Sequence, residues 1–275
     1  MSNRTVLITG CSSGIGRAAA YAFLDEEWQV YATARNPADI ETLGDAGCDI
    51  GTIDVRNTED VNRVMDRLIE EEGRIDALVN NAGYGQLGPI EDISEELFEK
   101  QFDVNVFGPH RLVRAALPHM REREDGTIIN VSSLAGRLAT PGMGTYSASK
   151  FAIEGYSDAL RREVEPFDID VSVVQPGPVA TNFRDRVEDE MGRLDRTDAY
   201  EELYEFQEDA TLFGSESPIA VHPAEVAEAI VEAASSTDPE PRYVVGRAAQ
   251  LLAYASYLPD RIADSIFSAI RRFSA

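Results

Sequence analysis

The chain of 275 residues carries 49 acidic against 25 basic side chains, a net charge of −24 at pH 7, with 43% hydrophobic residues and only two cysteines. That length suits a single α/β domain with a sizeable core, and the charge excludes nucleic acid as a partner. Cys11 and Cys48 form neither a metal-ligand spacing nor a disulfide framework, so no metal is expected and a reducing compartment fits.

Short β-rich runs alternate with helix-length amphipathic runs, the pattern of a parallel sheet covered by helices on both faces. Met1 to Arg4 runs straight into the first strand, with no export-type leader, and no apolar run is long enough to cross a bilayer; a cytoplasmic protein is expected. Strands are predicted at Thr5–Thr9, Gln29–Ala34, Asp49–Ile53, Ala77–Asn80, Thr127–Val131, Asp170–Gln175 and Tyr243–Val245. Helices are predicted at Ile15–Glu26, Ala38–Ala46, Thr58–Glu72, Val106–Arg123, Ser147–Glu165 and Ala224–Ser235, the last opened by Pro223. The fold expected is a Rossmann-type, doubly wound, seven-stranded parallel sheet in one domain spanning residues 1–275. Residues 183–217 form an acidic excursion with helical pattern after the sixth strand, where a lid over a ligand would sit. Residues 247–275 add two short amphipathic helices around Pro259, expected to cover the substrate cleft or meet a sister subunit. Their arginines make contact with anionic lipid the rival reading, opposed by the acidic body.

The first strand ends in Thr9-Gly10-Cys11-Ser12-Ser13-Gly14-Ile15-Gly16 and feeds a helix. Gly10, Gly14 and Gly16 permit a tight turn, close approach of backbone to a pyrophosphate, and close packing of helix on strand, while the helix N-terminus supplies N–H donors. The second strand ends in Ala34-Arg35-Asn36, where an acid would accept from both ribose hydroxyls. Arg35 instead offers a fork suited to a 2′-phosphate, so NADP(H) is favoured over NAD(H). Against that, Cys11 and Ser12 put no second basic residue in the turn.

These motifs, with Asp54, Asn80-Asn81-Ala82-Gly83, Asn105, Ser133, Tyr146-x-x-x-Lys150 and Pro176-Gly177 following in order, resemble the short-chain dehydrogenase/reductase family, densely over residues 4–182. The resemblance implies that Gly10, Ser12, Ser13, Gly14, Ile15 and Gly16 cradle the dinucleotide and that Asp54 and Val55 meet the adenine. It implies further that Asn81, Ala82 and Gly83 line the cleft, that Lys150 binds the cofactor as well as serving the reaction, and that Pro176, Gly177, Val179 and Thr181 hold the nicotinamide end. Tyr146 and Lys150 stand four apart on a helix, so a fixed ammonium can sit beside a phenol and favour the phenolate. Only Lys100 and Lys150 are lysine, the other basic residues all being arginine, and Lys150 sits where a compact ammonium is needed. By resemblance Ser133 orients the substrate oxygen, with Ser132 the lesser candidate, and Asn105 bends its helix around a water leading to Lys150. His110, His119 and His222 lie in no ligand spacing and receive no role, and neither serine sits in a G-x-S-x-G elbow.

Within the family the chain looks most like the 17β-hydroxysteroid and retinol dehydrogenase branch, which implies a bulky apolar alcohol or carbonyl substrate and a homo-oligomer, dimer or tetramer. Candidate pocket walls are Leu134, Leu138, Met143 and Phe183, with Leu203, Phe206, Leu212 and Phe213 as apolar lid members. A 3-oxoacyl-thioester reductase and a non-enzymatic NADP(H) sensor are the rival readings; the intact Ser133, Tyr146 and Lys150 argue against the sensor. The acidic, lysine-poor composition also resembles proteins of salt-rich cytoplasms, where screening tolerates dense carboxylates.

Overall fold

A computed structural model describes residues 4–181, 183–208 and 219–265. Its strands are β1 (Thr5–Thr9), β2 (Gln29–Ala34), β3 (Asp49–Thr52), β4 (Ala77–Asn80), β5 (Gly126–Val131), β6 (Ile169–Pro176) and β7 (Arg242–Val245). They form one seven-stranded sheet in the order β3-β2-β1-β4-β5-β6-β7, parallel throughout. The central strands are buried along their whole length, so they read as continuous apolar runs and not as alternating ones. Alternation survives in which face each residue serves. Val6 and Ile8 join one core with Phe23 and Ile230, while Leu7 joins the opposite core with Leu68, Leu112 and Leu160.

Helices α1 (Gly14–Asp25) and α9 (Pro223–Ser235) cover the first face, and α3 (Thr58–Glu72), α5 (Gly108–Arg123) and α6 (Gly144–Val164) the second. The winding reverses between β1 and β4, which opens a crevice at the carboxyl ends of those strands. His222 caps α9: its Nδ1 accepts from the Ala224 amide (3.2 Å) while its own backbone N–H donates to Glu225 (3.0 Å).

Local structure departs from the sequence expectation in two places. The stretch predicted as one helix at residues 38–46 is a 3-10 turn, Pro37–Ile40, followed by a short α2 (Glu41–Asp45). Asn36 opens the turn by accepting from the Ala38 amide. The helix predicted from Val106 is preceded by α4 (Glu95–Phe102) and by a π-turn, Asp103–Phe107, before α5 begins. Ser94 caps α4 by accepting from the Leu97 amide (3.3 Å), and with Glu95 and Glu96 in the first turn it is a readable start signal.

The excursion after β6 contains α7 (Phe183–Met191), a 3-10 turn at Asp198–Tyr200 and α8 (Glu201–Glu208), with no strand among its described residues. Its base is pinned where Val179 and Val221 pair across a single parallel bridge, the Ala180 N–H donating to the Val221 carbonyl at 3.0 Å and the Val221 N–H to the Pro178 carbonyl at 2.9 Å. Val187, Met191 and Tyr204 form a small apolar cluster of their own with Leu87 and Leu194. Leu203 stays half-buried, and the side chains of Phe206, Leu212 and Phe213 fall outside the description. After β7, α10 (Arg247–Ala253) packs through Ala249 onto Gly177, whereas Leu251, Tyr254 and Tyr257 point outward at 75%, 73% and 78% exposure. The predicted helical spacing of Ile266, Ile270 and Phe273, and the basic end at Arg271 and Arg272, lie outside the described residues. No helix among those described is long and apolar enough to cross a membrane.

Candidate active site

The turn after β1 requires its glycines. Gly10 and Gly14 adopt φ of +75° and +58°, a region that side chains resist. At Gly16 a methyl group would overlap the Asn81 amide and stand 2.5 Å from the Gly10 carbonyl oxygen. Asn81 closes the turn from the end of β4: its Nδ2 donates to the carbonyls of Thr9 (2.8 Å) and Gly10 (3.2 Å), and Thr9 Oγ1 accepts from the Asn81 and Ala82 amides (both 3.1 Å). The side chain of Ser13, at the N-cap of α1, does not cap the helix. The first-turn amides therefore stay available to an anion.

Arg35 is exposed at the end of β2 and has no hydrogen bond or ion pair among the described residues. Asp39, the nearest acid in sequence, accepts through its side chain from Asn36 (3.0 Å), and Arg17 reaches the carbonyls of Ser12 (3.3 Å) and Asp39 (3.2 Å). A second guanidinium thus stands near this end of the cleft, supplied by α1 and not by the glycine turn. Asp54 is committed to Arg56, whose Nη2 lies 2.6 Å away, and this hydrogen bonding holds its carboxyl below the usual carboxylate range against the effect of burial.

At the other end, Tyr146 and Lys150 project from the first turns of α6. Lys150 Nζ donates to the Val131 carbonyl of β5 (2.9 Å) and stands 5.7 Å from the centre of the Tyr146 ring. Burial pulls the Lys150 ammonium down to about 8, opposed by the charge of Glu154. Burial likewise pushes the Tyr146 phenol up to about 12, opposed by a hydrogen bond with Ser133. The expected electrostatic lowering of the phenol by Lys150 is therefore not what dominates in this site: the ammonium is turned to a carbonyl and desolvation outweighs it. Ser133 opens a 3-10 turn, its Oγ accepting from the Ala135 amide (3.2 Å). Ser132 beside it is buried, with a hydroxyl that has no partner among the described residues.

One cavity of about 360 Å³ joins the two ends. It is lined by Gly10, Ser12, Ser13, Gly14, Ile15, Arg35, Asp54, Val55, Asn81, Ala82, Gly83, Ser133, Tyr146, Lys150, Pro176, Val179 and Thr181 among the residues expected from sequence. Three expected residues stand behind the wall. Gly16 packs on Gly10, Gly177 packs on Ala249, and Asn105 is buried in the π-turn. Asn105 holds Tyr84 by both its backbone groups (2.8 and 2.9 Å) and donates to Ser149 Oγ (3.1 Å) on α6. It ties the π-turn to the catalytic helix and makes no direct bond to Lys150 among those described.

At the mouth, Phe183 lies with its ring centre 5.8 Å from that of Tyr146. Leu134, Leu138 and Met143 do not line the cavity; Tyr84, Lys100, Val187, Glu190 and Arg193 do. The Tyr84 hydroxyl reaches both Gln86 and Glu190 at 2.8 Å, and Lys100 Nζ sits 4.2 Å over the Tyr84 ring and 3.4 Å from Glu190. Lys100 stands out in the sequence only as the second lysine and receives no role there; Glu190 and Arg193 carry no sequence signal, because α7 meets α4 only through tertiary packing. No described residue beyond β7 reaches the cavity, so the expected cover by residues 247–275 is not seen in their described part. Among the described residues no cluster of metal-ligating side chains occurs.

A family model described as short chain dehydrogenase matches residues 4–192. The chain belongs to the short-chain dehydrogenase/reductase family. It is 37% identical to a 3-ketodihydrosphingosine reductase of Bacteroides thetaiotaomicron, covering 98% of this chain and 100% of that protein. It is 36% identical to human 17-beta-hydroxysteroid dehydrogenase type 1 over 88% of this chain and 77% of that one. A short-chain dehydrogenase of Streptomyces avermitilis superposes with a TM-score of 0.82 at 32% identity, covering 98% of each chain. A family member from Burkholderia phymatum, solved with NAD, does so with a TM-score of 0.79 at 25% identity over 92% of each. This short-chain dehydrogenase/reductase is therefore an oxidoreductase acting on CH–OH groups or their carbonyls with a nicotinamide cofactor. The strained glycine turn, the uncapped α1 terminus and the single cleft running to Tyr146 fit that cofactor.

Proposed function

We propose that the enzyme uses NADP(H) to interconvert a bulky, apolar secondary alcohol and its ketone, or a primary alcohol and its aldehyde. One observation carries the reading: a single cavity runs from Arg35 and the glycine turn to Ser133, Tyr146 and Lys150 and opens past Phe183 and Val187. Arg35, which makes no hydrogen bond or ion pair among the described residues and feels an acid only through the charge of Asp54, supports a 2′-phosphate at the ribose, and Arg17 adds a second cation nearby. An acid that would accept from both ribose hydroxyls is absent from the end of β2.

The bound nicotinamide supplies or accepts the hydride. In reduction, Ser133 and Tyr146 hold the carbonyl oxygen and the Tyr146 phenol gives it a proton. A phenol raised to about 12 by burial starts protonated at neutral pH, as a donor must. Lys150 replaces the lost charge balance by standing beside the phenolate that remains. Asn105 positions the π-turn and Tyr84 against α6. Alcohol oxidation runs the same transfers backward. The apolar side chains of Phe183 and Val187 support a hydrophobic substrate, as do relatives named for ketodihydrosphingosine and a 17β-hydroxysteroid. Helices α7 and α8 act as the lid. The outward Leu251, Tyr254 and Tyr257 suit a contact between subunits of a dimer or tetramer, in a cytoplasmic enzyme adapted to salt.

The test is a kinetic screen of long-chain, steroidal and aromatic ketones with NADPH and NADH at low and high salt. Higher kcat/KM with NADPH on hydrophobic ketones is expected. Preference for NADH, or for small polar ketones, overturns the respective half.

A further inference from the structure

Glu154 is a buried carboxylate that the reaction above leaves unused. It lies on α6 one helical turn beyond Lys150 and is only 7% exposed. Burial at that depth is costly for an unpaired carboxylate, and both oxygens are held: one accepts from the Gln175 side-chain amide (2.7 Å), the other from Arg242 Nε (3.1 Å). Arg242 comes from β7 and shares its other nitrogen with Asp158 (2.8 Å), which Arg161 also reaches (2.8 Å). Residues 150, 154, 158 and 161 form one stripe of α6, at spacings of four, four and three. Charge alternates along it, from Lys150 to Glu154, through Arg242 to Asp158, and on to Arg161. The member next to Lys150 is negative.

The turn after Ser133 packs onto the same pair. A methyl group on Gly136 would stand 3.1 Å from Glu154 Cγ and 3.2 Å from the Lys150 carbonyl oxygen. The titratable groups bearing on Lys150 are Tyr146 and Glu154, both on its own helix. The strand and turns packed against it present Val131, Ser132, Ser133 and Asn105, none of which titrates, and Arg242 and Asp158 are reached through Glu154.

We propose that Glu154 is a positioning residue for the reaction: its clamped carboxylate keeps the neighbouring Lys150 in the ammonium form and fixes α6 to β6 and β7 at the edge of the cofactor cleft. The inference rests on the reading of Tyr146 and Lys150 given above. Its physical need is plain. Burial alone drives the lysine toward its neutral form, and Glu154 is the charge that opposes this. Gln175, which holds Glu154, directly precedes Pro176 on the cavity wall, so one clamp orients both sides of the cleft.

Glu154→Gln tests the charge at constant shape. Gln175 Oε1 has no partner among the described residues, so a flip of that amide can accept from the new one and spare the fold. Two readouts are followed from pH 6 to 10: NADPH affinity by fluorescence, which needs no substrate, and kcat/KM for reduction of acetophenone. In wild type both fall as pH rises past the Lys150 transition near 8. In Glu154→Gln the alkaline fall moves to lower pH by about one pH unit, and Glu154→Asp restores most of it. Arg242→Met lowers the melting temperature but moves the fall to higher pH, because Glu154 then loses its counter-charge. A wild-type pH profile in a folded Glu154→Gln overturns the proposal, as does an Arg242→Met profile that shifts to lower pH. If Glu154→Gln does not fold, the direction in Arg242→Met decides alone. Wild-type turnover in Tyr146→Phe would refute the catalytic reading separately, leaving the nucleotide titration to report on Lys150.

Discussion

Replacing Gly16 by alanine is the smallest change that tests whether the turn after β1 is built for close approach. The added methyl would lie 2.5 Å from the Gly10 carbonyl oxygen and overlap the Asn81 amide. Asn81 is a side chain and can swing away, but doing so breaks its hydrogen bonds to the carbonyls of Thr9 and Gly10, each worth about 1 kcal/mol. The Gly10 carbonyl is backbone in a left-handed residue and cannot move without reshaping the turn. Overpacking of this kind costs about 1–3 kcal/mol, so a total near 3 kcal/mol is expected, roughly 6–12 °C in melting temperature for a chain of this size. NADPH affinity should fall on the order of 10- to 100-fold, since the displaced amides are those that would face the pyrophosphate. Thermal melts with and without NADPH, together with fluorescence titration, measure both effects. The double variant Gly16→Ala/Asn81→Ala relieves only the side-chain half and should recover neither fully. Wild-type stability and affinity in Gly16→Ala would show that α1 does not rest on the turn as described.

Two further substitutions probe the ends of the cleft. Tyr146→Phe should lower kcat by about 10²- to 10⁴-fold with NADPH affinity and melting temperature little changed, because the ring still packs; pre-steady-state mixing and nucleotide titration separate the two. Arg35→Asp should cut kcat/KM with NADPH by about tenfold or more and raise it with NADH, through loss of one charge-assisted contact and gain of a ribose acceptor; a wild-type enzyme that already prefers NADH refutes the assignment.

The sequence announces this sheet clearly because its strands are buried on both faces and so read as dense apolar runs bounded by turn residues. All seven predicted strands appear, within a few residues at their ends. The glycine turn and the Tyr146–Lys150 pair were legible for a different reason, since each is a local arrangement whose chemistry needs fixed spacing. What stayed hidden depends on contacts distant in sequence. Arg17 looks like any surface arginine of α1 until the turn at residues 37–40 folds back beside it. Glu190 acquires meaning only when α7 is laid against Tyr84 and Lys100. Composition alone does not mark the π-turn at Asp103–Phe107, whose residues have ordinary helical composition; the resemblance implied a bend at Asn105, and there Asn105 bonds to both backbone groups of Tyr84. Helix α4 is absent from the predicted elements although Ser94 and the acidic turn after it mark its start.

Both lysines of this arginine-rich chain line the same cavity, and their settings differ enough to separate two reasons for keeping an ammonium. Lys150 is 7% exposed and points into a carbonyl of β5. A guanidinium there would be too wide for the space and could not lose its proton. Lys100 stands at the rim, its side chain 36% exposed, over the face of Tyr84 and beside Glu190, a setting that a planar guanidinium also satisfies. Lys100→Arg should therefore change kcat/KM by no more than about threefold, in keeping with an exposed ion pair worth about 0–1 kcal/mol. Lys150→Arg should lose about 100-fold or more in kcat, and its residual activity should no longer fall above pH 8, where wild-type Lys150 becomes mostly neutral. The pH profile carries the argument, because a merely misplaced charge would lower the rate at every pH and keep the alkaline fall. Residual activity in Lys150→Arg that still declines above pH 8 would assign that decline to another group, and near-normal turnover would mean that the lysine survives there for packing alone.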